Sequence, residues 1–345
     1  MPFFRPEPEG AHDPRGRTGV LLCNLGTPEA PTAAATRRYL AEFLGDPRVV
    51  ELPRALWWPI LHGVILRTRP ARSAAKYQSI WLPEGSPLMV WSLRQASLLR
   101  GYLGERGHDV SVRLAMRYGE PAIADQLDAL KARGCTRILV LPLYPQYSGS
   151  TTGSVVDAVM AWARRVRRVP ELRFVASFHD DAGYIRALAQ RVQRHWMAQG
   201  RPARLVMSFH GVPQRMVDAG DPYLEQCRET ARLLAERLAL READWVLSFQ
   251  SRFGKARWVG PATDATLRQL GQAGTPRVDV MCPGFVSDCL ETLEEIAIEG
   301  QASFRAAGGR NFDYVPALND SPVWLAALAE IVQKHLCGWP TRGAD

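Results

Sequence analysis

Ala203-Arg-Leu-Val-Met-Ser-Phe-His-Gly-Val-Pro213 reads as a buried strand that runs into a histidine and then a Gly/Pro turn. A short apolar run bounded by turn residues fits a strand covered on both faces, as in a parallel sheet. In an open α/β sheet ligands sit outside the carboxyl ends of the strands, so His210 stands where such a sheet places its chemistry. A neutral imidazole, with a pKa of about 6.5, can accept a proton or bind a transition metal. A lone histidine at such a point can equally be structural.

The same pattern repeats outward from this stretch. Apolar runs at 19–25, 109–115, 136–143, 172–178, 245–250 and 277–282 are further strand candidates. Helical spacing runs near 32–44, 92–106, 120–133, 153–168, 181–198, 221–238, 263–272 and 322–336, with Asp221 as N-cap and Pro222 in the first turn of one of them. Strands separated by helices of this length imply βαβ units and parallel sheets. A coarse doubling is visible, two α/β halves joined near residue 170, where Arg-Val-Pro-Glu marks a break. Residues 1–17, rich in Pro, Gly and charge, read as a disordered tail.

Downstream, Cys282-Pro-Gly-Phe-Val-Ser-Asp-Cys-Leu-Glu-Thr-Leu-Glu-Glu-Ile296 passes from a strand end into a helix on which Glu291, Glu295 and Glu299 recur every fourth residue. That spacing stacks them on one helical face, where like charges repel by a few tenths of a kcal/mol per pair, about 0.2–0.5. Crowded carboxylates raise one another's pKa and suit a site that handles cations or protons. The other reading is a solvated acidic face, with Glu291 closing a capping box on Asp288. Paired with His210, also at a strand end, the acids become a candidate site.

Composition sets bounds. A chain of 345 residues with 46% hydrophobic content fits a globular protein of two ordinary domains. The net charge of +8 favours anionic partners: a phospholipid surface, a nucleic acid or a carboxylated ligand. Arg164, Arg165, Arg167 and Arg168 fall on a predicted helix and read as a solvated face; no nucleic-acid motif accompanies them. The six cysteines, at 23, 135, 227, 282, 289 and 337, form no C-x-x-C pair and suggest neither a zinc ribbon nor a disulfide framework. With no apolar leader visible, the expected location is the reducing cytoplasm. Ala55-Leu-Trp-Trp-Pro-Ile-Leu-His-Gly-Val-Ile-Leu66 is strongly apolar but too short to span a bilayer, and Arg67, Arg69 and Arg72 follow it. It can pack into a core, or form a greasy lip with Trp57 and Trp58 at an interface and arginines for anionic head groups.

Ten blocks along the chain resemble ferrochelatase, which inserts ferrous iron into protoporphyrin IX. They are Val20-Leu-Leu-Cys-Asn-Leu-Gly-Thr-Pro-Glu29, Phe43-Leu-Gly-Asp-Pro-Arg-Val-Val50, Lys76-Tyr-Gln-Ser-Ile-Trp81 with Gly85-Ser-Pro-Leu88, Met116-Arg-Tyr-Gly-Glu-Pro121, and Leu141-Pro-Leu-Tyr-Pro-Gln-Tyr-Ser-Gly-Ser-Thr-Thr-Gly-Ser154. Ser208-Phe-His-Gly-Val-Pro213, Phe249-Gln-Ser-Arg-Phe-Gly254, Trp258-Val-Gly-Pro261, Ser287-Asp-Cys-Leu-Glu-Thr-Leu-Glu-Glu295 and Leu318-Asn-Asp-Ser-Pro322 complete the set, which covers roughly residues 18–337. The resemblance implies two Rossmann-like domains of chelatase type with a cleft between them. Their bounds would be residues 18–170 plus 322–340, with a lip at 52–88, and residues 171–321.

It further implies a lyase of haem biosynthesis with Fe2+ and protoporphyrin IX as substrates and no permanently bound cofactor. His210 would be the general base or an iron ligand, Glu291 would bind metal or take protons, and Glu295 and Glu299 would relay towards solvent. Leu25, Tyr77, Trp258 and Phe285 would surround the macrocycle, and Ser86 and Arg117 would meet a propionate or an entering water. Tyr144 and Tyr147 shape a turn. Some relatives hold a [2Fe–2S] cluster through one central and three carboxyl-terminal cysteines. Here Gly149 stands at the central position and Cys337 alone lies in the tail, so no cluster is expected. Cys289 replaces a histidine found in relatives, and Leu25 removes an axial ligand. The apolar stretch at 55–66 favours protoporphyrin over coproporphyrin III and a peripheral membrane contact. A cobalt chelatase of the same fold, or a two-domain solute-binding protein, shares the layout; the first usually has more site histidines, the second an export signal.

Overall fold

Runs of aliphatic and β-branched residues between turn signals become strands β1 (Arg17–Gly26), β2 (Ser111–Tyr118), β3 (Cys135–Pro142), β4 (Glu171–Phe174), β5 (Arg204–His210), β6 (Trp245–Gln250), β7 (Arg277–Met281) and β8 (Asn311–Tyr314). The computed structural model describes residues 3–8, 16–254 and 256–341. The chain divides into two units, one of Met1–Tyr144, Ser148–Ser177 and Leu325–Asp345, the other of Pro145–Tyr147 and Phe178–Trp324.

In the first unit four strands form a parallel sheet in the order β2-β1-β3-β4. Central β1 is apolar on both faces because both are covered: Val20, Leu21, Leu22 and Cys23 are fully buried. One face packs Leu21, Cys23, Ala115, Ile138 and Val140 against Leu127 and Leu130 from helix Ile123–Ala132 and Val155, Val159 and Trp162 from helix Ser154–Ala163. Gly26 ends β1 at a φ of +113°, and a Cβ there would lie 1.9 Å from the Tyr118 carbonyl oxygen, so only glycine fits.

Asp46 ties this end together. Its carboxylate accepts from Arg117 Nη2 at 2.6 Å, Tyr118 OH at 2.9 Å, Ser154 Oγ at 2.6 Å and the Arg48 N–H at 2.8 Å. Burial pushes its pKa up, but the Ser154, Arg48, Tyr118 and Arg117 interactions outweigh burial and hold the carboxyl below its ordinary value.

Residues 9–15 of the expected disordered tail lie outside the described residues. Nearer the terminus, Glu7 pairs with buried Lys131 and accepts the backbone N–H groups of Arg167 and Arg168 at 3.0 and 2.9 Å, and Arg5 Nη1 bonds Asp128 at 2.9 Å. The basic run is not helical as expected: the helix ends at Ala163, and Arg165 and Arg167 stack over Phe3 and Phe4.

The expected lip becomes helix Arg54–Ile60, a π-turn Leu61–Ile65 and helix Leu66–Ile80. Leu61 and Leu66 pack with Leu44, while Leu56, Trp58, Ile60 and Val64 are exposed. Among the described residues no helix is long and apolar enough to cross a membrane.

In the second unit the order is β6-β5-β7-β8, again all parallel. Val206, Val278, Val280 and Cys282 pack against Leu267, Ile296, Phe304 and Phe312. Strand β8 is absent from the sequence reading because it is four residues long and carries Asn311 and Asp313 in alternation with Phe312 and Tyr314. The boundary falls at Ser177–Phe178, not at 170, because β4 pairs with β3 in the first sheet. The last helix, Pro322–Leu336, starts in the second unit, and from Leu325 onward it belongs to the first, where Gln333 meets His108 and Arg106. Helix Tyr223–Arg237 is capped at Pro222, and Asp221 accepts the Tyr223 N–H one residue before that cap.

Candidate active site

The carboxyl ends of β5 and β6 lie side by side, with His210 opposite Gln250 in register. His210 Nδ1 is 2.7 Å from the Gly211 carbonyl oxygen. A carbonyl only accepts, so Nδ1 carries the hydrogen and Nε2 of the neutral ring keeps a lone pair for a proton or a metal. Gly211 in turn donates its N–H to the Gln250 carbonyl at 2.8 Å, and a Cβ at Gly211 would sit 2.8 Å from that oxygen. The two strand ends are thus locked together behind the imidazole.

The acidic segment starts at Cys289, runs as an α-turn over Leu290–Thr292, widens to a π-helix over Leu293–Gly300, and returns to α over Gln301–Ala306. The expected capping box of Asp288 with Glu291 does not form; the Cys289 N–H donates to Thr292 Oγ1 at 3.0 Å instead. Asp288 is freed to anchor the start of the helix. It accepts from Tyr314 OH at 2.6 Å, Asn319 Nδ2 at 2.6 Å and Thr292 Oγ1 at 2.9 Å, and its N–H donates to Asn319 Oδ1 at 2.8 Å.

The last residue of His210's partner strand and the residue after it hold the acidic helix. Gln250 Nε2 donates to the Glu291 carbonyl at 2.7 Å while its Oε1 accepts from Ser208 Oγ at 2.7 Å. Ser251 donates its N–H to Glu295 Oε1 at 2.6 Å and its hydroxyl to Oε2. Glu295 therefore faces the strand ends. Burial pushes its pKa above the ordinary value; the Ser251 hydroxyl, His210 and the Ser251 N–H oppose that shift, and neighbouring Glu291 adds to it. Glu295 thus feels both the His210 ring and the Glu291 carboxylate.

Burial also raises the thiols of Cys282 and Cys289 well above their ordinary value, so both are protonated at neutral pH in the metal-free protein. The imidazole and the carboxylates offer nitrogen and oxygen donors, which suit ferrous iron.

The remaining expected residues belong to both units. Glu299 lies exposed at the far end of the π-helix. Trp258 is buried over Gly211, with Nε1 donating to the Phe253 carbonyl at 3.0 Å, and Phe285 packs against the β7 core. In the first unit, buried Ser86 caps helix Pro87–Glu105 through the Met89 N–H, and Tyr77 is buried edge-on to Trp81. Arg117 is engaged by Asp46 and Ser154, and half-buried Leu25 donates its N–H to Asn24 Oδ1 at 2.8 Å. Sequence reading gave no role to Gln250, Ser251 or Asn319 and gave Asp288 only the capping box, although all four lie within motif blocks. One further grouping of metal-ligand types, His195, Asp279 and Asp313, already holds a cation: Arg277 bonds Asp279 at 3.0 Å and pairs with Asp313 at 3.2 Å. A groove of about 490 Å3 in this unit is lined by Trp196, Arg201, Leu205 and Arg241 and contains none of the site residues.

Two four-stranded parallel α/β sheets, with an imidazole at a strand end of one and half-buried Glu291 and Glu295 on a helix of the same unit, have the chelatase-type fold. Two solved structures share the fold: "SirB from Bacillus subtilis with Fe3+" aligns with a TM-score of 0.57 at 13% identity, over 93% of this chain and 96% of that one. The sirohydrochlorin chelatase SirB from Bacillus subtilis subspecies spizizenii in complex with cobalt gives 0.53 at 12% identity, over 92% and 94%. Sequence comparison narrows the class. A profile of the ferrochelatase family matches residues 17–336. The Polaromonas sp. JS666 protein named ferrochelatase is 63% identical over 98% of this chain and 94% of its own length. That of Methylibium petroleiphilum is 64% identical over 98% and 93%. The chain belongs to the ferrochelatase family.

Proposed function

We propose that this protein inserts Fe2+ into protoporphyrin IX to give protohaem with release of two protons, as a lyase of haem biosynthesis. Insertion needs three events: loss of two pyrrole N–H protons, loss of water from the metal, and distortion of the flat ring so that nitrogen lone pairs face the metal. His210 serves the first, because its Nε2 lone pair is kept available by the Nδ1–H bond to Gly211. Glu291 receives the incoming iron, and Glu295, buried and raised in pKa, passes protons outward to exposed Glu299. Aromatic Trp258 and Phe285 of the second unit contact the ring.

The observation that carries this reading is the convergence of His210 and Glu295 on the ends of β5 and β6 through Gln250 and Ser251. The protonated Cys282 and Cys289 support an N/O site, and Cys337 alone among the cysteines is exposed, so we assign no [2Fe–2S] cluster. Exposed Leu56, Trp58, Ile60 and Val64 beside Arg54, Arg67 and Arg72 support peripheral contact with an anionic bilayer, from which a greasy porphyrin would arrive.

The test is an anaerobic assay in which Fe2+ is offered with protoporphyrin IX and coproporphyrin III in parallel and the Soret band is followed. Faster turnover of protoporphyrin is expected. A preference for coproporphyrin III would reassign the substrate, and inactivity on both would overturn the reading.

A further inference from the structure

Ser251 adopts a left-handed backbone with φ of 61°, where only two other non-glycine residues are found among the described residues, Ala239 and Asn319. Serine has no preference for that region, which is sterically disfavoured for an ordinary L-residue. The contorted backbone is what aims the Ser251 N–H and hydroxyl at the same carboxylate, one at each oxygen of Glu295. Immediately before it, Gln250 fills the register position beside His210 and grips the Glu291 carbonyl. The dipeptide at the end of β6 therefore touches both strand ends and the acidic helix.

We propose that Ser251 is a positioning residue for the metal-insertion reaction: its strained backbone presents two donors that fix the orientation of the Glu295 carboxylate towards His210. This inference rests on the reading that Glu295 takes part in proton transfer. Groups that orient a functional carboxylate or ligand typically carry about 10- to 100-fold in activity or metal affinity when removed.

The strain separates positioning from mere folding. If Ser251 served stability alone, glycine, which adopts φ above zero freely, would be as good or better. Ser251→Gly is expected to melt at or above the wild-type temperature and yet lose about 10- to 100-fold in kcat, with porphyrin KM unchanged, because the hydroxyl is gone. Ser251→Ala, which loses the hydroxyl and keeps the strain, should lose similar activity. Both are assayed anaerobically with Fe2+ and protoporphyrin IX, with Glu295→Gln alongside. Wild-type kcat in Ser251→Gly and Ser251→Ala, with Glu295→Gln impaired, overturns the role of Ser251 alone. Wild-type kcat in Glu295→Gln removes Glu295 from the mechanism and with it the reading on which this inference rests.

Discussion

At the scale of single residues, His210 was legible because a continuous apolar strand delivers it to a Gly/Pro turn, and topology then decides where it points. Gln250 and Ser251 were not, since a polar pair after a strand looks like any loop, and nothing in residue type announces a left-handed serine. Arg117 was expected to meet a propionate or an entering water, and the structure adds a partner within its own unit. It is held by Asp46, and that pairing yields a stability prediction. Asp46→Asn should cost about 3 kcal/mol in urea unfolding at neutral pH, because Arg117 and two hydroxyls lose a buried charged acceptor. The folded carboxyl titrates below its ordinary value, so its contribution is complete above about pH 4 and vanishes as pH falls through the folded pKa. The gap between wild type and variant should therefore close at acid pH; a gap that is constant from neutrality to strong acid would contradict the assignment.

At the scale of elements, the four-residue spacing of Glu291, Glu295 and Glu299 signalled a helix with an acidic side but could not show that Leu293–Gly300 is a π-helix. That geometry closes i→i+5 hydrogen bonds and occurs often at functional sites, but no residue pattern specifies it. Of the two short edge strands, β4 was expected at 172–178 and spans Glu171–Phe174, whereas β8 was missed, since an edge position tolerates charge and gives no continuous apolar run. Segment 55–66 could be read as core or as lip, and its apolar residues divide: Leu61 and Leu66 pack with Leu44, while Leu56, Trp58, Ile60 and Val64 are exposed. Replacing Leu56 and Trp58 together by alanine should weaken sedimentation with anionic phospholipid vesicles by about tenfold or more, given about 1.5 kcal/mol or more per buried side chain. Unchanged partitioning would assign the exposed side chains some other partner.

At the scale of the whole molecule, the alternation of strand and helix was enough to foresee two parallel α/β units, because parallel strands need crossover helices and buried strands need apolar runs. The point of division was less legible. A Pro-containing break near residue 170 looks like a linker, yet β4 follows it and pairs with β3. The carboxyl-terminal helix could be assigned to the first unit only through the family resemblance, as its own apolar pattern names no partner. In the proposed function the chemistry belongs to the second unit, where Gln250, opposite His210, bonds the Glu291 carbonyl and Ser251 bonds the Glu295 carboxylate. The most direct measurement of that claim compares wild type with His210→Ala for porphyrin binding and for anaerobic Fe2+ insertion. Binding within a few-fold of wild type with turnover reduced by about 10²-fold or more is the predicted result; near-normal turnover in the variant would contradict it.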